Sequence, residues 1–302
     1  MEYRRSLTLD EPNTQLPSRG GFCGKPKNNK RLSTSAPTSA MTNSQLASIL
    51  WDAQFSGLPC QPLTQLQPGL TLEDAYAIQR INLDRRMNER GLFGKRARSV
   101  GKKIGITSRA VQTWLKVSEP DFGGLLDDMS VPNAGRADIT KLLQPRVEGE
   151  IAFVLKKCLV GPGITPAQVV EATDCVLPAI EIIDSRVKDW QITIQDTVAD
   201  NASSGMFVLG SQPALLRQLD LRTVGMTLRK NGQVMSTGAG AACMGDPVNA
   251  VVWLANRLGE FGEQLSAGQV ILSGALGPVQ PVAAGDWATV HVGNLSEVVV
   301  SF

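Results

Sequence analysis

The stretch RVEGEIAFVLKK, residues 146–157, decides how the chain is read. Ile151, Ala152, Phe153, Val154 and Leu155 form a short apolar run closed by Lys156 and Lys157, the pattern of a buried β-strand. Glu148 and Glu150 stand at its entrance. Two apart in a strand, they point to one face, roughly 6.5–7 Å from each other. Like charges that close repel, and burial raises the cost. A second apolar strand, VLPAIEIID (176–184), carries Glu181 within it. Laid beside the first, it would bring three carboxylates together. A hard divalent cation such as Mg²⁺ or Mn²⁺ resolves the repulsion, because such ions favour oxygen ligands. The competing reading is a half-exposed strand whose glutamates face water, or pair with Arg146 and a lysine.

Outward from these strands, the second half of the chain is rich in short strands. MFVLG (206–210), QVILSG (269–274), ATVHV (288–292) and SEVVVSF (296–302) are four of them, and LRTVGMTLRKNGQVMSTG (221–238) reads as a hairpin around Asn231-Gly232. Helical signals lie mainly before them. Thr71 caps a helix with Glu73 and Asp74 in its first turn and Gly91 as its stop; Thr165, Pro166 and Gln168 make a capping box with a proline start; Asp246 and Pro247 open another helix. SVGKKIGITS (99–108) reads as a strand and SRAVQTWLKV (108–117) as a short helix. Parallel α/β alternation is not sustained, so the pattern favours a sandwich, roll or barrel core. No glycine-rich nucleotide loop is present.

Residues 1–40 are rich in Ser, Pro, Asn, Gly, Lys and Arg without apolar period and read as disordered, or as preceding a native start at Met41. They carry seven basic and three acidic side chains, a net of +4, so the remainder stands at −2 against +2 for the whole. The 302 residues, 42% hydrophobic, suit an ordinary globular protein with a substantial core. A charge so near neutral gives no support to nucleic-acid binding, and no apolar run reaches the ~20 residues of a membrane-spanning helix. Five cysteines without CxxC spacing read as reduced thiols of a cytoplasmic protein. The single histidine, His291, sits in an alternating strand, which argues against His-based chemistry.

Further candidates are weaker alone. Lys103, between a glycine turn and an apolar residue, could donate a proton or hold an anionic substrate, or be one of several surface cations. Asp127 and Asp128 read as caps or as site acids. ADNASSG (199–205), with Ser204, and SGALGP (273–278), with Ser273 and Leu276, suit close approach of a ligand or an ordinary turn. Met206, Phe207 and Leu276 are core residues or pocket linings.

In order, GKKIGITS (101–108), DFGGLLDDM (121–129), LQPRVEGEIAFVL (143–155), VLPAIEIIDSRVKDW (176–190), QDTVADNASSGMFVLG (195–210), GAGAACMGDPVNAVVWLAN (238–256) and ILSGALGP (271–278) resemble the 2-keto-4-pentenoate hydratases of the fumarylacetoacetate hydrolase-like superfamily. The resemblance runs from about residue 45 to the C-terminus. It implies an α+β fold: a mixed β-roll with surrounding helices (116–302) after a smaller N-terminal α/β portion (41–115). It implies Mg²⁺ or Mn²⁺ on Glu148, Glu150 and Glu181, with Lys103 and Asp128 as catalytic residues. The implied reaction adds water to 2-hydroxypenta-2,4-dienoate in meta-cleavage breakdown of aromatic compounds. A homo-oligomer is implied, with association to a related decarboxylase or the downstream aldolase. The related 4-oxalocrotonate decarboxylases share fold and metal site and stay the alternative activity, with a catalytically silent partner protein behind them. Trp190 and Gln195-Asp196 favour the hydratase. Superfamily C–C hydrolases, which use a His-Glu pair, rank below both.

Overall fold

The computed structural model describes residues 40–89 and 96–302. The expected disorder before residue 40 and the helix stop at Gly91 lie outside the described residues. Helices are α1 (Asn43–Ser56), α2 (Leu63–Leu66), α3 (Leu72–Asn88), α4 (Arg109–Leu115), α5 (Pro166–Ala172), α6 (Ile194–Ala199) and α7 (Pro247–Glu260). Several start where the sequence places a cap. Thr71, Thr165 and Asp246 each accept a hydrogen bond from the first turn of α3, α5 and α7, and Pro166 and Pro247 occupy the opening positions of the last two. None is long and apolar enough to cross a membrane.

Strands are β1 (Ser99–Gly105), β2 (Asp121–Leu126), β3 (Ser130–Val131), β4 (Gly135–Arg136), β5 (Arg146–Leu155), β6 (Thr173–Ile183), β7 (Ser204–Leu209), β8 (Gly225–Lys230), β9 (Gln233–Ala239), β10 (Val270–Leu272), β11 (Gln280–Pro281), β12 (Trp287–Val292) and β13 (Glu297–Ser301). They form two sheets. The larger runs β2-β1-β10-β5-β6-β7-β3, with β11 also on β5; the smaller runs β4-β13-β12-β8-β9. Pairing is mixed: β1 with β10, β3 with β7 and β13 with β4 are parallel, and the other pairs antiparallel. Asn231 and Gly232, both at positive φ, turn β8 into β9 as their left-handed tolerance allows.

The period of two along β5 sorts its residues. Val147, Ile151 and Phe153 face the smaller sheet and join Ile180, Ile182, Met226, Leu228, Val290 and Val298 in the main core. A Cβ on Gly149 would lie 2.9 Å from Val290 Cγ1, so the sheets approach closely there. Glu148, Glu150 and Ala152 take the opposite face, where Ala152 packs with Leu125, Leu177, Phe207 and Leu272. α1 and α3 form a further core with Val187, Val198 and Ala199. Residues 40–302 group as one compact unit. β1, although it precedes residue 116, lies inside the larger sheet and carries Lys103 into it.

Candidate active site

β5 and β6 pair antiparallel with Glu148 opposite Glu181 and Glu150 opposite Ala179. That register puts all three glutamates on one face, and one oxygen from each lies within 4.8 Å of the others. Glu150 and Glu181 are fully buried; Glu148 is partly buried at the edge of the group. Gly274 N–H donates to Glu150 Oε2 at 2.7 Å, but Glu150 Oε1 and Glu181 Oε2 find no donor. Buried carboxylate oxygens without partners are costly. A hard divalent cation would satisfy them, so this donor set fits one.

Lys103 enters from β1. Its Nζ lies 3.3 Å from Glu181 Oε1, and both groups are closed off from water. Asp121, first residue of β2, is also buried. An ideal Cβ on Gly105 would lie 2.2 Å from Asp121 Oδ1 and 3.2 Å from Lys103 Nζ. The acid and the ammonium therefore converge over a bare backbone position. Neither Asp121 oxygen has a donor at close hydrogen-bond distance, and Thr197 is the one side-chain hydroxyl that acts on it from farther off.

Four acids and one lysine in a dry pocket shift one another. Burial and then Glu181 push Glu148 up to about 8. Glu150 rises well above the carboxylate range through burial, Glu181 and Glu148. Burial raises Glu181 and Asp121 too, against the pull of Lys103. Burial opposes the charge on Lys103, but Glu181, Asp121, Glu148 and Glu150 together hold its ammonium above the ordinary lysine range. Without a cation the group keeps protons. A divalent ion would displace protons from the three glutamates, whose three negative charges it and Lys103 together would balance.

Comparison with known proteins gives the family. Residues 118–301 match the fumarylacetoacetate (FAA) hydrolase C-terminal family. The chain is 49% identical over 258 residues to a 2-keto-4-pentenoate hydratase of Paraburkholderia xenovorans (strain LB400), covering 85% of this chain and 94% of that protein. It is 54% identical over 220 residues to a 2-hydroxypent-2,4-dienoate hydratase of Pseudomonas putida, covering 72% and 96%. The chain belongs to the 2-keto-4-pentenoate hydratase family. Among solved structures, a 4-oxalocrotonate decarboxylase of Pseudomonas putida G7, complexed with magnesium and adipate, superposes with a TM-score of 0.80 at 38% identity, covering 88% of this chain and all of that one.

The structure of this hydratase-family chain sets one expected residue apart from the others. Asp128 is not beside Lys103. It lies in the turn after β2, partly exposed and ion-paired with Arg86 at 2.6 Å. Its neighbour Asp127 binds Arg98. The acid that meets Lys103 is Asp121, which the sequence reading passed over although it opens the quoted segment DFGGLLDDM. Its signal was position: like Glu148, it is an acid at the mouth of an apolar strand.

The remaining expected residues separate. Ser273 is fully buried beside the carboxylates; it precedes Gly274, and its carbonyl accepts from Cys243 Sγ at 3.0 Å. Ser204 is buried at the start of β7 with a partnerless hydroxyl, and lines a cavity with Arg186, Asp200 and Met206. Leu276 is fully buried in the main core. His291 is exposed on β12 and pairs across to Thr227 and Glu297, within the smaller sheet. Asp196 is structural: as the capping-box partner of Thr193 at the start of α6 it accepts from the Thr193 amide and hydroxyl, and it also accepts from the Thr64 amide and hydroxyl.

Proposed function

We propose that the chain hydrates 2-hydroxypenta-2,4-dienoate to 4-hydroxy-2-oxopentanoate, as a hydro-lyase of meta-cleavage catabolism. The observation that carries this reading is the convergence of Lys103 and Asp121 beside three carboxylates, two of them fully buried, on one face of the sheet. The activities named for the relatives supply the substrate. The decarboxylase activity is the second reading, favoured by the 38% identical structural neighbour; the higher identity to hydratases ranks it below.

Glu148, Glu150 and Glu181 would hold Mg²⁺, or Mn²⁺ in its place, and the ion would supply fixed positive charge for an anionic 2-oxo acid. Hydration requires a proton at substrate C5, hydroxide at C4 and a proton at C3; the proton from the 2-hydroxyl and one water supply all three. Asp121, whose carboxyl burial pushes up against the pull of Lys103, is suited to deliver a proton to carbon and to take one from the attacking water. Lys103 stays charged and orients the substrate anion through its N–H donors. The closed face keeps bulk water away from the charged groups. The enzyme is further taken to be a cytoplasmic homo-oligomer; exposed Val111 and Trp114 on α4 give an assembly apolar surface to cover.

The test supplies freshly generated 2-hydroxypenta-2,4-dienoate and, in parallel, 2-oxohex-3-enedioate, each with Mg²⁺ and then with EDTA. Metal-dependent gain of water on the first, read by mass, is the expected result. Loss of CO₂ from the second with the first untouched would make the chain a decarboxylase. Divalent-ion binding with no turnover of either would leave it a silent homologue.

A further inference from the structure

β2 is a terminal strand of the larger sheet, so one row of its backbone groups has no strand beside it. At Gly124 that row is answered by a side chain. Asn201 Oδ1 accepts from Gly124 N–H at 2.8 Å, and Asn201 Nδ2 donates to Gly124 C=O at 2.9 Å. The amide thus imitates one rung of a neighbouring strand. Its own turn, Asn201–Ser203, runs directly into β7 on the far side of the carboxylate-bearing strands. Asn201 therefore ties β7 back to β2 and closes the curl of the sheet around the site.

The turn it holds is strained. Asn201, Ala202 and Ser203 are all left-handed, at φ 54°, 51° and 53°. Three successive non-glycine residues in that region need their surroundings to hold them. Gly123, opposite Lys103 across β1 and β2, lets the turn come down: a Cβ there would stand 2.4 Å from the Asn201 carbonyl oxygen. The product of the docking is a buried hydroxyl pair. Thr197 Oγ1, on the helix α6 that packs against β2, and Ser203 Oγ lie 3.1 Å apart, and Thr197 is the side-chain donor nearest in effect to the Asp121 carboxyl, though beyond close hydrogen-bond distance.

We infer that Asn201 is a positioning residue, the latch that fixes the Thr197–Ser203 hydroxyl pair against Asp121 for the proton transfers at that carboxyl. The kinetic part rests on the hydratase reading above; the latch itself does not. Asn201 touches neither the glutamates nor Lys103 through a hydrogen bond, so it acts through the turn.

The test compares Asn201→Ala, Asn201→Gly and Gly123→Ala with the wild type. Glycine tolerates the left-handed backbone but cannot make the two bonds, so it separates the latch from simple relief of strain. All three variants are expected to lower kcat by roughly ten- to a hundredfold, as small misplacements of reacting groups do. KM should move by less than about threefold, and the Mg²⁺-induced rise in Tm should persist, because the metal ligands stand on β5 and β6. Amide exchange at 197–204 should quicken in each variant, measured on the full chain with Mg²⁺ present. Wild-type exchange and turnover in Asn201→Gly would overturn the inference, as would equal loss of Mg²⁺ binding and turnover. If the wild type hydrates nothing, the functional reading fails while exchange still decides whether the latch exists.

Discussion

Lys103 Nζ and Glu181 Oε1 form an ion pair at 3.3 Å in which both side chains are almost wholly shut off from solvent. A buried pair is weak evidence for stability, because desolvation consumes much of the attraction, yet removing one partner costs ~3–5 kcal/mol. The pair is better explained by chemistry. Lys103→Met is expected to cut turnover by about 10²-fold or more while the protein still binds Mg²⁺. Calorimetric titration of Mg²⁺ beside the dienoate assay checks this. Equal loss of both would show that Lys103 serves only the fold of the carboxylate group.

Asp121 and Asp128 make the sharpest contrast. Asp121 is buried without a donor at close hydrogen-bond distance; Asp128 holds Arg86 at the surface. Asp121→Asn keeps the shape and removes the exchangeable acid, so kcat should fall by roughly 10²–10⁴-fold. Asp128→Asn loses an exposed ion pair of ~0–1 kcal/mol and should leave kcat within about twofold. Steady-state kinetics on both variants decides it; a larger loss at Asp128 would restore the sequence-based assignment.

The difference between those two aspartates also marks where sequence stops being legible. Glu148 and Glu150 could be placed on one face because strand period is local, and Glu181 could be joined to them because an acid inside an apolar strand has few other uses. The caps at Thr71, Thr165 and Asp246 and the Asn231-Gly232 turn are likewise local chemistry, and all appear as expected. Asp121 meets Lys103 only through the β1–β2 register and the bare position at Gly105, which are tertiary facts. Asn201 was hidden for the same reason: its partner is a backbone far along the chain. Ser204 and Leu276 lie in segments that look equally loop-like, yet one lines a cavity and the other fills the core.

Cation binding should depend on pH with a definite sign. Glu148 is pushed up to about 8, and Glu150 and Glu181 also rise, because burial disfavours their charge. Between the ordinary carboxylate value and about 8, the metal-free folded protein holds protons that the unfolded chain has released. Its stability therefore falls as pH rises through that window. A cation must displace those protons, so its affinity rises over the same window. The Tm gain from a fixed Mg²⁺ concentration should therefore grow as pH rises toward about 8. Thermal melts with and without Mg²⁺ across pH measure this; a gain independent of pH would mean that the glutamates are already ionised without metal.

Two glycines on the site strands should fail in different ways when a methyl is added. Gly105 has an ordinary backbone conformation, so alanine brings no φ penalty there. Its methyl would fall 2.2 Å from Asp121 Oδ1 and 3.2 Å from Lys103 Nζ, in the space where the two groups converge. Gly105→Ala should therefore fold and bind Mg²⁺ but lose on the order of 10²-fold in kcat, since the carboxyl must swing aside. Gly149 faces the other way. Its methyl would meet Val290 Cγ1 at 2.9 Å and Met226 at 3.1 Å, in the core between the sheets. Gly149→Ala should cost ~1–3 kcal/mol of stability by overpacking. The protein that remains folded should keep more of its turnover than Gly105→Ala does. Melting temperature and kcat, measured on both variants below their melting points, separate the two effects. If Gly105→Ala kept full turnover, the convergence of Lys103 and Asp121 over that position would have no part in the reaction.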